Sequence, residues 1–304
     1  MSCLNKENYV VLSNNVKMPI LGLGTTHSGG YNHDTVVYAL KECNYRLIDT
    51  AKRYGVEKFV GRAIVDSGIP RSHFFLTTKL MPRDYASVRD TFFQSMNLLN
   101  TDYLDMYYLH WPMENKSMIE DTWRQLELLL DEEHVRSIGI SNFEDDQILH
   151  MLDFASVIPH ANQCEFNPYI QQKSTIKLCE ENNIAFQGYC PLSKGKLMDE
   201  PVIQSWANKL NVSPAQVLIK WSLEKRAITI PKSTHKSRVL ENSKVFNFSL
   251  PPKAMVDIDA LHIGNSHRRC IKRDRIMGET FDLNVKQDGY KLLRSKNVFP
   301  IDLL

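Results

Sequence analysis

No apolar run in this chain approaches the ~20 residues that a membrane-spanning helix requires. The opening MSCLNKENYVVL carries Lys6 and Glu7 where a secretory signal would be apolar, and FPIDLL at the other end is neither a prenylation nor an ER-retention signal. The six cysteines (Cys3, Cys43, Cys164, Cys179, Cys190 and Cys270) include no C-x-x-C pair. Without an export signal they read as free thiols in a reducing compartment, and the sequons at Asn115, Asn211 and Asn247 as chance matches. An excess of one charge is missing too. Thirty-seven Lys and Arg against 35 Asp and Glu leave +2, too little to make nucleic acid or an acidic membrane the main partner. There is no H-E-x-x-H zinc helix, no G-x-x-x-x-G-K-[ST] phosphate loop and no G-x-S-x-G nucleophile elbow, so no metal site is expected. Low-complexity tracts, Pro/Ser-rich linkers and literal repeats are absent as well.

What the chain does have is bulk and alternation. With 304 residues, 43% hydrophobic and 24% charged, it suits a soluble, cytoplasmic globular protein whose core needs no disulfide or metal. Short β-branched or aromatic runs occur around 20–24, 45–49, 74–79, 103–110, 135–141, 161–166, 184–189 and 228–232. Helical patterns follow at 34–43, 57–65, 85–98, 118–130, 145–154, 174–181, 202–219 and 237–245, with apolar spacing such as Trp123, Leu126, Leu129 and Leu130. Eight strands alternating with helices predict a single α/β domain over 1–304, a (β/α)₈ TIM barrel. An N-terminal β-hairpin (Tyr9–Leu12 and Lys17–Pro19 around Ser13-Asn14-Asn15) precedes it, and a C-terminal tail from about Pro251 is expected over the barrel mouth. The competing open doubly wound sheet lacks its fingerprint, because Gly22-Leu23-Gly24 is followed by no third glycine.

In such a barrel the active face is formed by the loops after the strands. The second run ends in Asp49 with Tyr54 just beyond, the third in Lys79, and the fourth in His110-Trp111-Pro112. Taken singly, Asp49 could be a helix cap, His110 a structural histidine and Lys79 a solvated charge. Together on one face they form a proton donor: an ammonium stabilises the phenolate of a tyrosine, a carboxylate holds that ammonium, and a histidine orients a carbonyl. An electron source is missing from this set, so a cofactor must supply the hydride.

The motifs LGLGT (21–25), LIDTAKRYG (47–55), TTKL (77–80), LHWP (109–112), VRSIGISNF (135–143), NQCEFNP (162–168), YCPL (189–192) and IPKSTHKSRVLEN (230–242) stand in order along the chain. In these it resembles the aldo-keto reductase family over most of its length. The resemblance implies a (β/α)₈ enzyme that reduces a small-molecule carbonyl, aldehyde or ketone, with Asp49, Tyr54, Lys79 and His110 as catalytic tetrad and Tyr54 as general acid. It implies NADPH as cofactor. Ser141, Asn142 and Gln163 would hold the carboxamide, Tyr189 would stack on the nicotinamide, Thr25 would lie near the ribose, and Leu192 would also contact the cofactor. Lys232, Ser233 and Arg238 would hold the 2′-phosphate, with Glu241 and Asn242 on the adenine side.

The sequence departs from the family pattern at Thr26, where many members carry an aromatic residue, and at Met81, often Trp; with Trp111 these are the expected substrate-binding positions. His235 replaces a small hydroxyl residue in the phosphate pocket, and the loop 113–118 is short. The resemblance implies a monomer. The weighed alternative is a cofactor-binding sensor or lens-type structural protein on the same scaffold, disfavoured by the intact tetrad. The basic stretch His267–Arg275 reads as a solvated tail face.

Overall fold

In the computed structural model, residues 8–25 and 30–264 are described. The chain begins with the hairpin expected of the Asn-rich turn: β1 (Tyr9–Val11) pairs antiparallel with β2 (Lys17–Pro19). Asn15 takes the left-handed conformation at φ 66°, where Asn is tolerated better than most residues. The hairpin packs on the amino ends of the barrel strands. Met18 and Leu12 are buried against Leu47, Phe75, Met106 and Ile228, and Asn14 Nδ2 donates to the Arg136 carbonyl at 2.8 Å. That end of the barrel is therefore plugged, and the carboxyl end is left as the open face.

Eight parallel strands follow: β3 (Gly22–Gly24), β4 (Leu47–Asp49), β5 (Phe75–Leu80), β6 (Met106–Leu109), β7 (Ile138–Ser141), β8 (Ala161–Glu165), β9 (Ala185–Tyr189) and β10 (Ile228–Ile230). Each pairs with its neighbour in chain order. The two ends of the sheet meet through a parallel bridge between Leu21 and Thr229, with Thr229 N donating to the Ile20 carbonyl at 2.8 Å and Gly24 N to that of Pro231 at 3.0 Å. Gly22 leaves room at this seam, since a Cβ there would lie 2.9 Å from Ile230 Cγ2 across it and 2.5 Å from Leu47 Cγ on β4.

The surrounding helices are α1 (His33–Glu42), α2 (Glu57–Ser67), α3 (Val88–Leu99), α4 (Lys116–Asp131), α5 (Asp145–Phe154), α6 (Lys173–Glu181), α7 (Pro201–Leu210), α8 (Pro214–Glu224), α9 (Lys236–Ser243) and α10 (Pro252–Asp259). In α4, Ile119, Trp123, Leu126 and Leu129 are buried on one stripe, each contributing on the order of 1.5–3 kcal/mol by leaving water. The segment 202–219, expected as one helix, is two. Asn211 ends α7 at φ 53°, and Ser213 opens α8 with a capping box to Gln216 ahead of Pro214. These local stop and start signals outweigh the continuous apolar spacing.

The segment expected as tail from Pro251 begins with a further helix, α10. It is tied to its neighbours by Trp206 Nε1 to Asp257 Oδ2 at 3.1 Å and Trp221 Nε1 to Asp259 Oδ1 at 2.9 Å. Residues 265–304, with the basic stretch at 267–275, lie outside the described residues, as does Thr26. Among the described residues no helix is long and apolar enough to cross a membrane.

Candidate active site

Asp49, the last residue of β4, is 2% exposed, and Lys79 in β5 is fully enclosed. Parallel pairing in which Asp49 faces Thr77 brings their side chains together. Lys79 Nζ donates to Asp49 Oδ1 at 2.6 Å and to the Thr50 carbonyl at 2.9 Å. The other carboxylate oxygen, Oδ2, accepts from Thr77 Oγ1 at 2.9 Å and Gln163 Nε2 at 2.7 Å. Asp49 is thus held from two strands, β5 and β8. Burial draws the Lys79 ammonium below the usual lysine range, while Asp49 and Glu57 oppose that by attraction.

Tyr54 follows β4 in a single turn of 3₁₀ helix at Lys52–Tyr54. Its ring lies 5.3 Å from Lys79 Nζ and meets His110 edge-on at 5.8 Å between ring centres. His110, directly after β6, is buried; its N–H donates to the Leu80 carbonyl at 2.9 Å, and its own carbonyl accepts from Asn142 Nδ2 at 2.9 Å. The four residues expected to act together do converge at the carboxyl ends of β4, β5 and β6.

A cleft of about 700 Å³ runs from this cluster across the seam to α9. Ten of the eleven cofactor positions expected from the sequence border it: Thr25, Asn142, Gln163, Tyr189, Leu192, Lys232, Ser233, Arg238, Glu241 and Asn242. Ser141 is buried behind them, and its hydroxyl donates to the Gln163 carbonyl at 2.8 Å. Two of the amides are already engaged. Asn142, at φ 64°, accepts from the Tyr189 hydroxyl at 2.8 Å, while Gln163 spends its NH₂ on Asp49 and on Gln187 Oε1 at 2.9 Å. Gln187 also accepts from the Tyr108 hydroxyl at 2.6 Å, extending the network through the barrel interior. Sequence reasoning missed Thr77, Gln187 and Tyr108 here, because inward-facing polar residues in mid-strand look like ordinary strand residues until the register is known.

At the far end, Arg238 is exposed and Lys232 half-buried. Burial alone lowers the Lys232 ammonium to about 8. His235 starts α9 without a side-chain cap, and its N–H donates to Ser233 Oγ at 3.1 Å. Asn242 Oδ1 is buried without a hydrogen-bond partner. Of the expected substrate positions, Met81 and Trp111 are 2% and 1% exposed. The Trp111 ring stacks beside His110 at 6.4 Å, and its carbonyl accepts from the Tyr85 hydroxyl. Among the described residues no cluster of His, Cys, Asp and Glu could hold a metal.

The chain is similar in sequence and fold to known proteins. An uncharacterized oxidoreductase of Caenorhabditis elegans is 46% identical over 93% of this chain and 88% of its own length. A glyoxal reductase of Bacillus subtilis is 39% identical over 84% of this chain and 93% of its own. The crystal structure of MGS-M4, an aldo-keto reductase enzyme from a Medee basin deep-sea metagenome library, superposes with a TM-score of 0.80 at 36% identity, covering 83% of this chain and 94% of that one. The family model described as Aldo/keto reductase family spans residues 20–263, from the strand that opens the seam to the end of the described barrel, and the chain belongs to that family.

Proposed function

We propose that the protein reduces aldehyde or ketone carbonyls to alcohols with NADPH, and that Tyr54 is the general acid. The observation that carries this reading is the set of bonds beside Tyr54 in which Thr77, Gln163 and Lys79 all donate to Asp49. Tyrosine has an ordinary pKa near 10 and gives up its proton poorly. The Lys79 ammonium, 5.3 Å from the ring, stabilises the phenolate that forms, and Asp49 keeps that ammonium charged in a site where burial works against it. His110, edge-on to Tyr54, orients the carbonyl oxygen toward the phenol. The Bacillus relative, named as a glyoxal reductase, supports an aldehyde as substrate. Thr26, Met81 and Trp111 shape the substrate end, the last two from beneath the surface.

The residues along the cleft fit a nicotinamide dinucleotide phosphate. The orphaned, buried Asn242 Oδ1 awaits a donor such as an adenine amino group. The uncapped first turn of α9 with Lys232, Ser233 and Arg238 presents N–H groups, a hydroxyl and two cations, the donor set for a phosphate dianion. Ser141, Asn142 and Gln163 would hold the carboxamide, Tyr189 the ring, and Thr25, Leu192 and Glu241 the span between the two ends. When bound, the cofactor supplies the hydride. We further propose that the protein works as a monomer in the cytoplasm.

Tyr54→Phe is the test. Loss of the proton donor is expected to cut kcat by roughly 10²–10⁴-fold, about 3–5 kcal/mol, with NADPH binding by tryptophan fluorescence unchanged. A variant that keeps most of its carbonyl-dependent NADPH oxidation overturns the mechanism.

A further inference from the structure

Two buried side chains to which the proposed chemistry gives no role stand behind Gln163. Gln187, its partner in register on β9, and Tyr108, on β6, are both fully enclosed. Tyr108 can reach inward to Gln187 because the residue paired with it on β7 is glycine: a Cβ at Gly139 would lie 2.6 Å from Tyr108 Cε1. The bonds among these groups run in one direction only. Asp49, as a carboxylate, offers nothing but acceptors, so Gln163 must turn its nitrogen to Oδ2, at 2.7 Å. The second N–H of that nitrogen meets Gln187 Oε1 at 2.9 Å, and the same oxygen receives the Tyr108 hydroxyl at 2.6 Å. Burial, and after it the charge of Asp49, push the Tyr108 phenol well above its usual range, so it remains a donor. Gln187 Nε2 is left buried with no hydrogen-bond partner. That orphan marks a constraint, since an amide set only by its own bonds would not give one oxygen to two donors and leave its NH₂ unanswered. With both N–H groups of Gln163 engaged inside the barrel, its Oε1 is the group left for the cleft that Gln163 borders.

We propose that Tyr108 and Gln187 are positioning residues that lock the Gln163 amide with its oxygen toward the cleft, and so select a dinucleotide whose ring carries a carboxamide over one whose ring carries a carboxylate. The proposal rests on the reading in which Gln163 holds the carboxamide. An acceptor fixed at that point takes an N–H of a carboxamide and repels a carboxylate oxygen. Held by Asp49 alone, the Gln163 amide could pivot on that one bond and bring its second N–H round to the cleft, where it would serve a carboxylate as well. Gln187 removes this option by taking the second N–H. Tyr108 in turn keeps the Gln187 oxygen in place, because its hydroxyl donates to that oxygen from the other side. Gly139 belongs to the same lock, as the bare strand position that admits the Tyr108 ring.

The test is binding of NADP⁺ and of its nicotinic acid counterpart, each followed by quenching of tryptophan fluorescence, with Tm read for every variant. The wild type is expected to bind the amide form at least about tenfold tighter. Gln187→Met keeps the bulk of the side chain and removes the acceptor, and the ratio of the two affinities is expected to fall roughly fivefold or more. A merely structural role would weaken both forms alike and leave the ratio where it was. Tyr108→Phe, which loses only the hydroxyl, and Gly139→Ala, which displaces the ring, are expected to lower the ratio about two- to fivefold. Tyr108→Phe decides the matter if the other two do not fold. An unchanged ratio in folded Gln187→Met or Tyr108→Phe, in a wild type that prefers the amide form, overturns the lock alone. A wild type that binds both forms equally overturns the Gln163 reading and the lock with it, and one that binds neither overturns the cofactor reading as well. None of these results bears on Tyr54, whose own test is the loss of turnover.

Discussion

The two ends of the cleft are built by opposite means. At the tetrad end Asp49, Lys79 and His110 are buried and Tyr54 half-buried, all sit on strands or within a few residues of them, and Asp49 alone receives three donors from two strands, β5 and β8. At the α9 end, Arg238 is exposed, Lys232 is half-buried, and the helix start is uncapped. The difference suits the roles proposed for the two ends. Proton donation depends on placement to within a fraction of an ångström and on charges kept from water, which strands in a closed barrel provide. Holding a phosphate needs charge and donors that can close around a ligand, which a loop and a helix start provide at little folding cost.

The largest expected effect is at the buried end. Lys79→Met removes the partner of an enclosed carboxylate and should cost about 3–5 kcal/mol of stability, read as a drop in Tm, together with loss of nearly all reductase activity. A variant with wild-type Tm would mean that Asp49 does not need its cation and that the contrast between the ends is overstated.

A smaller and more selective effect is expected at the open end. Arg238→Ala removes one charge-assisted contact of about 1.5–3 kcal/mol, so KM for NADPH should rise about 10- to 150-fold while kcat, Tm and any binding of NADH stay nearly unchanged. Equal weakening toward both cofactors would place the phosphate elsewhere.

The mildest expectation concerns pH. Burial lowers Lys232 to about 8, so it is charged below that pH and neutral above it. A bound phosphate favours the charged form. Affinity for NADPH should therefore be highest below pH 8 and fall as pH rises through and beyond it, by no more than about tenfold per unit. Affinity for NADH, followed by the same fluorescence quenching, should stay flat. A rise in NADPH affinity over that range would invert the assignment.

The same contrast explains what could be read in advance. Asp49, Lys79 and His110 were legible because barrel topology fixes where strands end, and reactive residues at strand ends are conspicuous in one dimension. Tyr54 was legible from its nearness to Asp49. Thr77, which donates to Asp49, and Gln187, which accepts from Gln163, were not, because both acquire meaning only through register, and neither was the turn of the Gln163 NH₂ to Asp49. Nor was the enclosure of Trp111, a residue whose position after His110 suggested a pocket wall. Helical spacing ran unbroken through 202–219, while Asn211 and Pro214 divided it by conformations that an apolar pattern does not register. α10 was missed because Pro251-Pro252 reads as a tail, although Pro also opens helices.

The seam between Leu21 and Thr229 has a bearing on how the molecule comes into being. Pairing across it joins residues more than 200 positions apart, so the barrel cannot close until nearly all its strands have been synthesised, and the first strand waits for the last. Thr25 and Lys232, on the two sides of that seam, border the same cleft. A ligand lying there would act as a clasp over the joint formed last, holding the native state against unfolding in proportion to its affinity.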